Sequence, residues 1–190
     1  MYVATTSGTR FLLAAGDASV PYRTLLQAVE QYDSQSVAAA LELDIALNGA
    51  PLAYRMDRAR CHRTGEVRAV LDKHGVLLLH GPPHHAGYYG QLERQNREHR
   101  AWLNACGELD PHRLAEEAER MRHAWNSTLP RRSLSWQTAS KVWSQAVAVE
   151  VDRKKLKEEV QDRAVRMQRH VDERGETEDM AERLAIEWAL

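Results

Sequence analysis

The order of strand-type and helix-type segments is the feature that most limits how this chain can fold. Residues 2–5 and 10–15 have strand character and flank a short turn at 7–9, a pattern typical of an antiparallel hairpin. Further strands are predicted at 52–56 and 76–80, and helices at 21–47, 64–74, 89–106, from 110 onward and at 138–149. One hairpin followed by alternating strands and helices predicts an α/β fold with a mixed sheet flanked by helices.

The segment 21–47 is predicted as one helix. Leu25, Leu26 and Val29 share the helical spacing of the apolar residues that follow them. Pro21 precedes them at a place where the first turn of a helix tolerates proline. We therefore expect no strand between the opening hairpin and the strand at 52–56.

The end of the chain differs in character from the rest. Residues 127–133 form an irregular stretch, and the charged region 151–190 is predicted as two helices separated at 174–176. Its mixed charges are typical of solvent-exposed helices, and contact with a partner subunit is an alternative use. We predict a core domain at 1–128 and a helical C-terminal extension at 129–190.

Composition excludes several classes of protein. Among the 190 residues, 43% are hydrophobic and 28% are charged, as in ordinary soluble proteins. No stretch reaches the roughly 18 apolar residues of a membrane span, and no basic and apolar leader opens the sequence. The two cysteines, Cys61 and Cys106, predict reduced thiols in a cytoplasmic protein. We expect no membrane partner.

Charge is distributed unevenly, although the net charge is only −1. Residues 54–132 carry 14 Lys and Arg against 10 Asp and Glu, whereas 1–53 and 148–190 are each acidic. A polyanion could bind the basic middle of the chain. Solvated helix faces explain the same excess, so charge alone leaves both interpretations open.

Two acidic residues lie at the ends of predicted elements. Asp57 directly follows the strand 52–56, and Glu93 lies near the start of the helix 89–106, with 35 residues between the two acids. The carboxyl ends of strands face the functional crevice in open α/β folds, so both carboxylates could meet there. Their hard oxygen atoms would suit Mg²⁺ or Mn²⁺.

These features resemble the second half of the signature of DDE-type integrase and transposase catalytic cores, the retroviral-integrase-like and insertion-sequence proteins. The family pattern also includes a Gly-Val pair, a Gly- and Pro-bearing loop, and a Glu-Arg-x-Asn sequence. The matching residues here are Gly75-Val76, the segment 81–87 and Glu93-Arg94-Gln95-Asn96. A later family motif resembles 125–139, and the opening hairpin resembles the first two strands of that core.

The resemblance covers about 1–143 and implies a fold, a reaction and partners. It implies a ribonuclease-H-like mixed sheet flanked by helices, and DNA integration or transposition by metal-dependent strand cleavage and strand transfer. Asp57 and Glu93 would be the catalytic metal ligands for Mg²⁺ or Mn²⁺. The implied partners are DNA, as mobile-element ends and target, and either further copies of the chain or a full-length transposase. Localisation would be cytoplasmic, with the nucleoid when DNA is bound.

One part of the family signature has no match. The first Asp of the family lies on its first strand, upstream of the segment that matches 2–6 and therefore before Met1, while Asp17 and Asp44 occupy unsuitable positions. The resemblance thus implies a core that lacks its first strand segment, as in a truncated or inactive copy. The alternative is a non-catalytic remnant that binds DNA or a transposase subunit.

The helix of Glu93 carries the candidate DNA-binding residues. Asn96, Arg97 and Arg100 lie three, four and seven positions after Glu93 and therefore share its face. The resemblance implies that this face meets DNA, and guanidinium groups beside metal-binding acids suit phosphate. The alternative is a solvated face on which Arg94 and Glu98 provide the charge partners.

Two other groups of residues have simpler interpretations. His80, His84 and His85, with Cys61-His62, match no zinc-binding spacing, and we interpret the histidines as residues near the metal and phosphate crevice. Trp136 follows two arginines and could stack on a nucleobase, but packing is the simpler prediction for it.

Overall fold

The structure is a computed structural model that describes residues 1–82, 86–173 and 178–190. Its strands are β1 (Tyr2–Thr5), β2 (Gly8–Ala15), β3 (Leu25–Val29), β4 (Ala53–Met56) and β5 (Leu77–His80). Its α-helices are α1 (Ser34–Asn48), α2 (Gly65–Lys73), α3 (Gly90–Ala105), α4 (Pro111–His123), α5 (Ala139–Ser144), α6 (Arg153–Glu173) and α7 (Glu178–Ala189). No described helix is both long and apolar enough to span a membrane.

The chain forms two compact units, each built from two separate stretches of sequence. The first unit comprises Met1–Asn48 and Gln91–Ala148, and the second comprises Gly49–Gly90 and Val149–Leu190. The domains proposed from the sequence, 1–128 and 129–190, remain a prediction.

The first unit contains an antiparallel sheet in the order β1-β2-β3. The predicted hairpin is confirmed, with Tyr2 opposite Phe11 and Thr5 opposite Gly8. Gly8 has a φ of +108°, which favours glycine at the turn. Alternate residues of β1 are exposed and half-buried, as expected for a strand with one covered face.

The predicted helix over 21–47 is wrong in its first half. Residues Leu25–Val29 form β3, which pairs with β2 so that Val29 lies opposite Phe11. Helix α1 begins only at Ser34, where the Asp33 carboxylate accepts a hydrogen bond from the Ser36 backbone N–H at 2.8 Å. The apolar spacing at 25–29 fits a helix or a strand, and pairing with β2 decides between them.

Helices α3 and α4 cover the sheet of the first unit. The core cluster is formed by Leu12, Leu26, Leu103, Leu109, Leu114, Ala118 and Met121. Helix α4 begins as its sequence predicts, because the Asp110 carboxylate accepts from the Arg113 backbone N–H at 2.9 Å and Pro111 occupies the first helical position. The predicted helices over 89–106 and from 110 are confirmed.

The second unit is built on the parallel pair β4 and β5, in which Ala53 lies opposite Leu77 and Met56 opposite His80. Helices α6 and α7 pack on this pair through Leu77, Leu79, Val160, Ala185 and Ile186. The sequence therefore correctly predicts two helices in the region 151–190, and the predicted break at 174–176 lies outside the described residues. The antiparallel and parallel strands together with the helices confirm the mixed α/β prediction.

Candidate functional site

Asp57 lies at the carboxyl end of the parallel strand pair, as the sequence predicts. It directly follows β4, and Gly81 directly follows β5. The Tyr89 hydroxyl donates to the Met56 carbonyl at 3.0 Å and accepts from the Gly81 backbone N–H at 2.8 Å. This one side chain therefore holds the two strand ends together beside Asp57.

The Asp57 carboxylate has a defined local environment. Its Oδ1 atom lies 2.7 Å from His62 Nδ1 and accepts from the Ala59 backbone N–H at 3.0 Å. The hydrogen bond with His62 is the main reason that the pKa of Asp57 is lowered. The side chain is 49% exposed, so an ionised carboxylate faces solvent, and none of the described residues is hydrogen-bonded to its Oδ2 atom.

Two histidines lie next to Asp57. His80 Nδ1 is 3.1 Å from the Asp57 carbonyl and 3.3 Å from the Met56 carbonyl, so it donates to backbone oxygen atoms. Burial lowers the pKa of His80, and the nearby Arg58 contributes to that shift, so the ring is neutral at pH 7. His84 and His85 lie outside the described residues. The sequence singles out His62 only as a possible zinc companion and misses its role beside Asp57.

Glu93 lies in the first turn of α3, as predicted. The structure places Glu93, Arg97 and Arg100 on the exposed side of this helix, and Asn96 is half-buried at the edge of the same side. The opposite side, formed by Gln95, His99 and Leu103, is buried. We call the residues Glu93, Asn96, Arg97 and Arg100 the outer face of α3.

The two arginines of the outer face have no charge partner among the described residues. Glu98, which the sequence offers as a charge partner for this face, instead bonds Arg23 at 2.5 Å. In the part of the chain that the structure describes, neither Arg97 nor Arg100 forms an ion pair or a hydrogen bond. Both the DNA-binding face and the alternative of a solvated face remain predictions for these two arginines.

A buried polar network fixes the rotation of α3. Arg23, which is 1% exposed, donates through Nε to His99 Nε2 at 2.9 Å. The backbone of Arg23 exchanges two hydrogen bonds of 2.9 Å with the Asn126 side chain. Burial, followed by the charge of Arg23, lowers the pKa of His99 to about 4. These contacts point one side of α3 inward and leave the outer face toward solvent.

The remaining acids near the sheets are engaged elsewhere. Asp44 is buried in α1 and accepts from the Thr24 hydroxyl at 3.1 Å and from the Asn48 amide at 2.9 Å. Asp17 accepts from the backbone N–H groups of Ser19 and Val20, at 2.8 and 2.7 Å. Both therefore have structural roles, in line with their exclusion as metal ligands on sequence grounds.

The carboxylates of Asp57 and Glu93 are the type of ligand that a hard divalent cation binds, although the described residues contain no preformed set of ligands. Asp57 in the second unit and Glu93 in the first are exposed or half-exposed carboxylates, the ligand type that Mg²⁺ and Mn²⁺ prefer. Among residues 1–82, 86–173 and 178–190, no three His, Cys, Asp or Glu side chains are arranged to hold a metal ion. Shared binding of a cation by Asp57 and Glu93 remains a prediction.

Solved structures that are similar to this chain include retroviral integrase catalytic cores. The catalytic core domain of HTLV-2 integrase, in complex with magnesium and in a trimeric form, matches with a TM-score of 0.62 at 16% identity, covering 75% of this chain and 90% of that one. The core domain of BIV integrase matches with a TM-score of 0.57 at 14% identity, covering 76% and 91%.

A larger assembly gives a similar match. A chain of the simian T-cell lymphotropic virus intasome, in complex with the PP2A regulatory subunit B56 gamma, has a TM-score of 0.66 at 12% identity. The match covers 80% of this chain and 54% of that one. No family model and no curated protein matches the sequence. The structural matches confirm the resemblance at the level of the fold: this chain has the ribonuclease-H-like fold of retroviral integrase catalytic cores.

Proposed function

We propose that this chain is a DNA-processing core of the integration or transposition type, which binds DNA through the outer face of α3. The observation that carries the proposal is the exposed Glu93, Arg97 and Arg100 on one side of a helix whose other side is locked into the core. Two exposed guanidinium groups that have no partner among the described residues are an arrangement suited to phosphate oxygens. The fold shared with integrase cores supports the same assignment.

Asp57 and Glu93 are the proposed ligands for Mg²⁺ or Mn²⁺. When bound, the cation would supply Lewis-acid activation for cleavage of a DNA strand and its transfer to a target. His62 would keep Asp57 ionised, because its hydrogen bond lowers the pKa of that carboxyl. Tyr89 would hold Asp57 in place by joining the ends of β4 and β5.

The proposed partners follow from the same assignment. DNA would include the ends of a mobile element and a target duplex. Further copies of this chain, or a full-length transposase, would complete the assembly. The HTLV-2 integrase core in its trimeric and dimeric forms supports association between copies as part of this proposal.

A second candidate is DNA binding without catalysis. It is favoured by the occupied Oδ1 atom of Asp57, which His62 and Ala59 share, and by the absence of a grouped metal site among the described residues. On this proposal the outer face of α3 still binds DNA. The two candidates therefore differ only in whether Asp57 and Glu93 bind a cation.

Duplex DNA binding tests the shared part of both candidates. Fluorescence anisotropy with a mixed-sequence duplex is measured for the wild type and for Arg97→Gln/Arg100→Gln. A matched control, Lys155→Gln/Arg166→Gln, removes two exposed charges from α6 instead. The proposal predicts a large loss of affinity in the first double variant only. Equal affinity in all three proteins would refute it.

Cation binding separates the two candidates. Titration of Mn²⁺ into the protein–duplex complex is followed by electron paramagnetic resonance for the wild type and for Asp57→Asn. Catalysis predicts bound Mn²⁺ that the substitution removes, while duplex affinity in EDTA is retained. Absence of Mn²⁺ binding, or the same binding in Asp57→Asn, would overturn the catalytic proposal and support the non-catalytic one.

A further inference from the structure

The segment 120–149 is a stretch of 30 residues that contains no Asp or Glu. Its five basic side chains are Arg120, Arg122, Arg131, Arg132 and Lys141. The first two are paired with Glu117 and Glu119 on their own helix, at 3.1 and 2.7 Å. The positive charge that is left over therefore belongs to the second half of the segment, around Arg131 and Arg132.

Within this segment the chain forms a closed loop, Arg131 to Gln137, which we call the tryptophan loop. The Arg131 backbone N–H donates to the Gln137 carbonyl at 3.0 Å, and the Trp136 backbone N–H donates to the Arg131 carbonyl at 2.9 Å. Ser135 and Trp136 have φ values of +52° and +62°. Two consecutive residues with side chains in this region are strained, since left-handed backbone favours glycine.

The strained loop presents an indole to solvent. Trp136 is 69% exposed, so the prediction that it packs in the core is wrong. The other two tryptophans of the segment are packed. Trp125 lies beneath the guanidinium groups of Arg23 and Arg131, and Trp143 stacks on Tyr22 with ring centroids 4.9 Å apart. Trp136 has no ring contact or hydrogen bond through its side chain to any described residue.

The two arginines of the tryptophan loop indicate what kind of ligand could bind there. Arg132 is exposed and forms no ion pair with the described residues. Arg131, whose guanidinium lies 5.6 Å from the Trp125 ring centroid, has two buried nitrogen atoms with no acceptor in the described chain. The loop therefore carries both an exposed indole and the exposed cation Arg132, and the segment 120–149 around it contains no Asp or Glu. This combination suits a ligand that is both aromatic and anionic. Nucleotides have both properties.

We propose that the tryptophan loop is a binding site for unpaired nucleotides, in which Trp136 stacks on a nucleobase and Arg132 contacts the adjoining phosphate. Stacking on an exposed indole is tolerant of sequence and requires a base that has left the duplex. The proposal rests on the proposed DNA-binding function and adds to it a preference for unpaired bases. The positive φ values of Ser135 and Trp136 strain the loop, and strained backbone is a common property of functional sites.

Affinity for single-stranded DNA tests this site. Anisotropy is measured with oligothymidylate and with a blunt duplex, for the wild type, Trp136→Ala and Trp136→Phe. We expect Trp136→Ala to lose about 5- to 150-fold in affinity for oligothymidylate and less than about twofold for the duplex. Trp136→Phe retains an aromatic face and should recover most of the affinity.

Two further variants control for folding and for general loss of an indole. Trp136→Gly suits the positive φ, so it removes the ring while the loop keeps its backbone conformation, and it should behave like Trp136→Ala. Trp188→Ala removes an indole of similar exposure, 61%, from the second unit, and it should bind oligothymidylate like the wild type.

The outcomes distinguish this site from the proposed function. If Trp136→Ala binds oligothymidylate as tightly as Trp188→Ala does, the tryptophan loop is not a nucleotide site, even where duplex binding by α3 holds. If Trp136→Ala changes only the association state in sedimentation, the loop contacts protein and the inference is overturned. Loss of duplex binding in Arg97→Gln/Arg100→Gln bears on the proposed function alone.

Discussion

Acidification should destabilise the protein through His99, the buried histidine that sets the orientation of α3. His99 is 0% exposed, and its Nε2 atom accepts from Arg23 Nε, so a second proton would face a guanidinium at 2.9 Å. The pKa is about 4 in the folded protein, against 6.5 for an ordinary histidine. The unfolded chain therefore binds this proton at a higher pH than the folded chain does. Stability is complete above pH 6.5 and falls as the pH drops from 6.5 toward 4.

The size of the effect follows from the two pKa values. Between pH 8 and pH 5 the preferential protonation of the unfolded chain at His99 lowers the free energy of unfolding by about 2 kcal/mol. Carboxylates with lowered pKa values, such as Asp57 and Glu119, reduce stability mainly at lower pH. His80, whose pKa burial also lowers, contributes over the same pH range as His99, so the comparison of pH 8 with pH 5 also requires a variant that lacks His99.

Urea unfolding of the wild type and of His99→Gln at both pH values measures this contribution. The glutamine amide can still accept from Arg23 but does not titrate. We expect the wild type to lose about 2 kcal/mol more than the variant between pH 8 and pH 5. The same loss in both proteins would show that burial, followed by the charge of Arg23, does not hold His99 neutral, and the proposed locking of α3 by this network would be wrong.

Two further changes test the packing of the separate units. Arg153→Met should reduce the free energy of unfolding by about 1–3 kcal/mol. The reason is that the Arg153 guanidinium donates to the carbonyls of Ala50, Pro51 and Gly75. The control Lys154→Met, at an exposed neighbouring position, should leave the urea midpoint unchanged. Asp110→Ala removes the cap of α4 and should cost about 1 kcal/mol, or about 2–4 °C in Tm by calorimetry; a Tm within error of the wild type would show that the cap contributes nothing.

Much of this fold can be predicted from the sequence, because helix caps and element boundaries are decided by residues that are near one another in the chain. Asp110-Pro111 begins α4, and Gly75, with a φ of +62°, follows the end of α2. Asp57 at a strand end and Glu93 in a first helical turn are also readable from element boundaries alone. These features depend on neighbours in sequence, so the sequence is sufficient to predict them.

Features that depend on residues far apart in sequence, or on the conformation of a loop, cannot be predicted in this way. Leu25 and Val29 form a strand because β2 lies beside them, although their spacing equally fits a helix. Glu98 is not a charge partner for the outer face of α3, because it is bonded to Arg23, which lies 75 positions away in sequence. Trp136 is exposed because its loop closes on itself through Arg131, which composition does not reveal. In each case a long-range contact or a loop conformation decides the outcome.

The salt dependence of duplex DNA binding tests the central claim most directly. The claim is that Arg97 and Arg100, on the outer face of α3, contact DNA phosphates. The logarithm of the affinity is measured against the logarithm of the salt concentration for the wild type, Arg97→Gln/Arg100→Gln and the control Lys155→Gln/Arg166→Gln. The account predicts that the magnitude of the slope falls by about two in the first double variant and not in the control. An unchanged slope and affinity in Arg97→Gln/Arg100→Gln would contradict it.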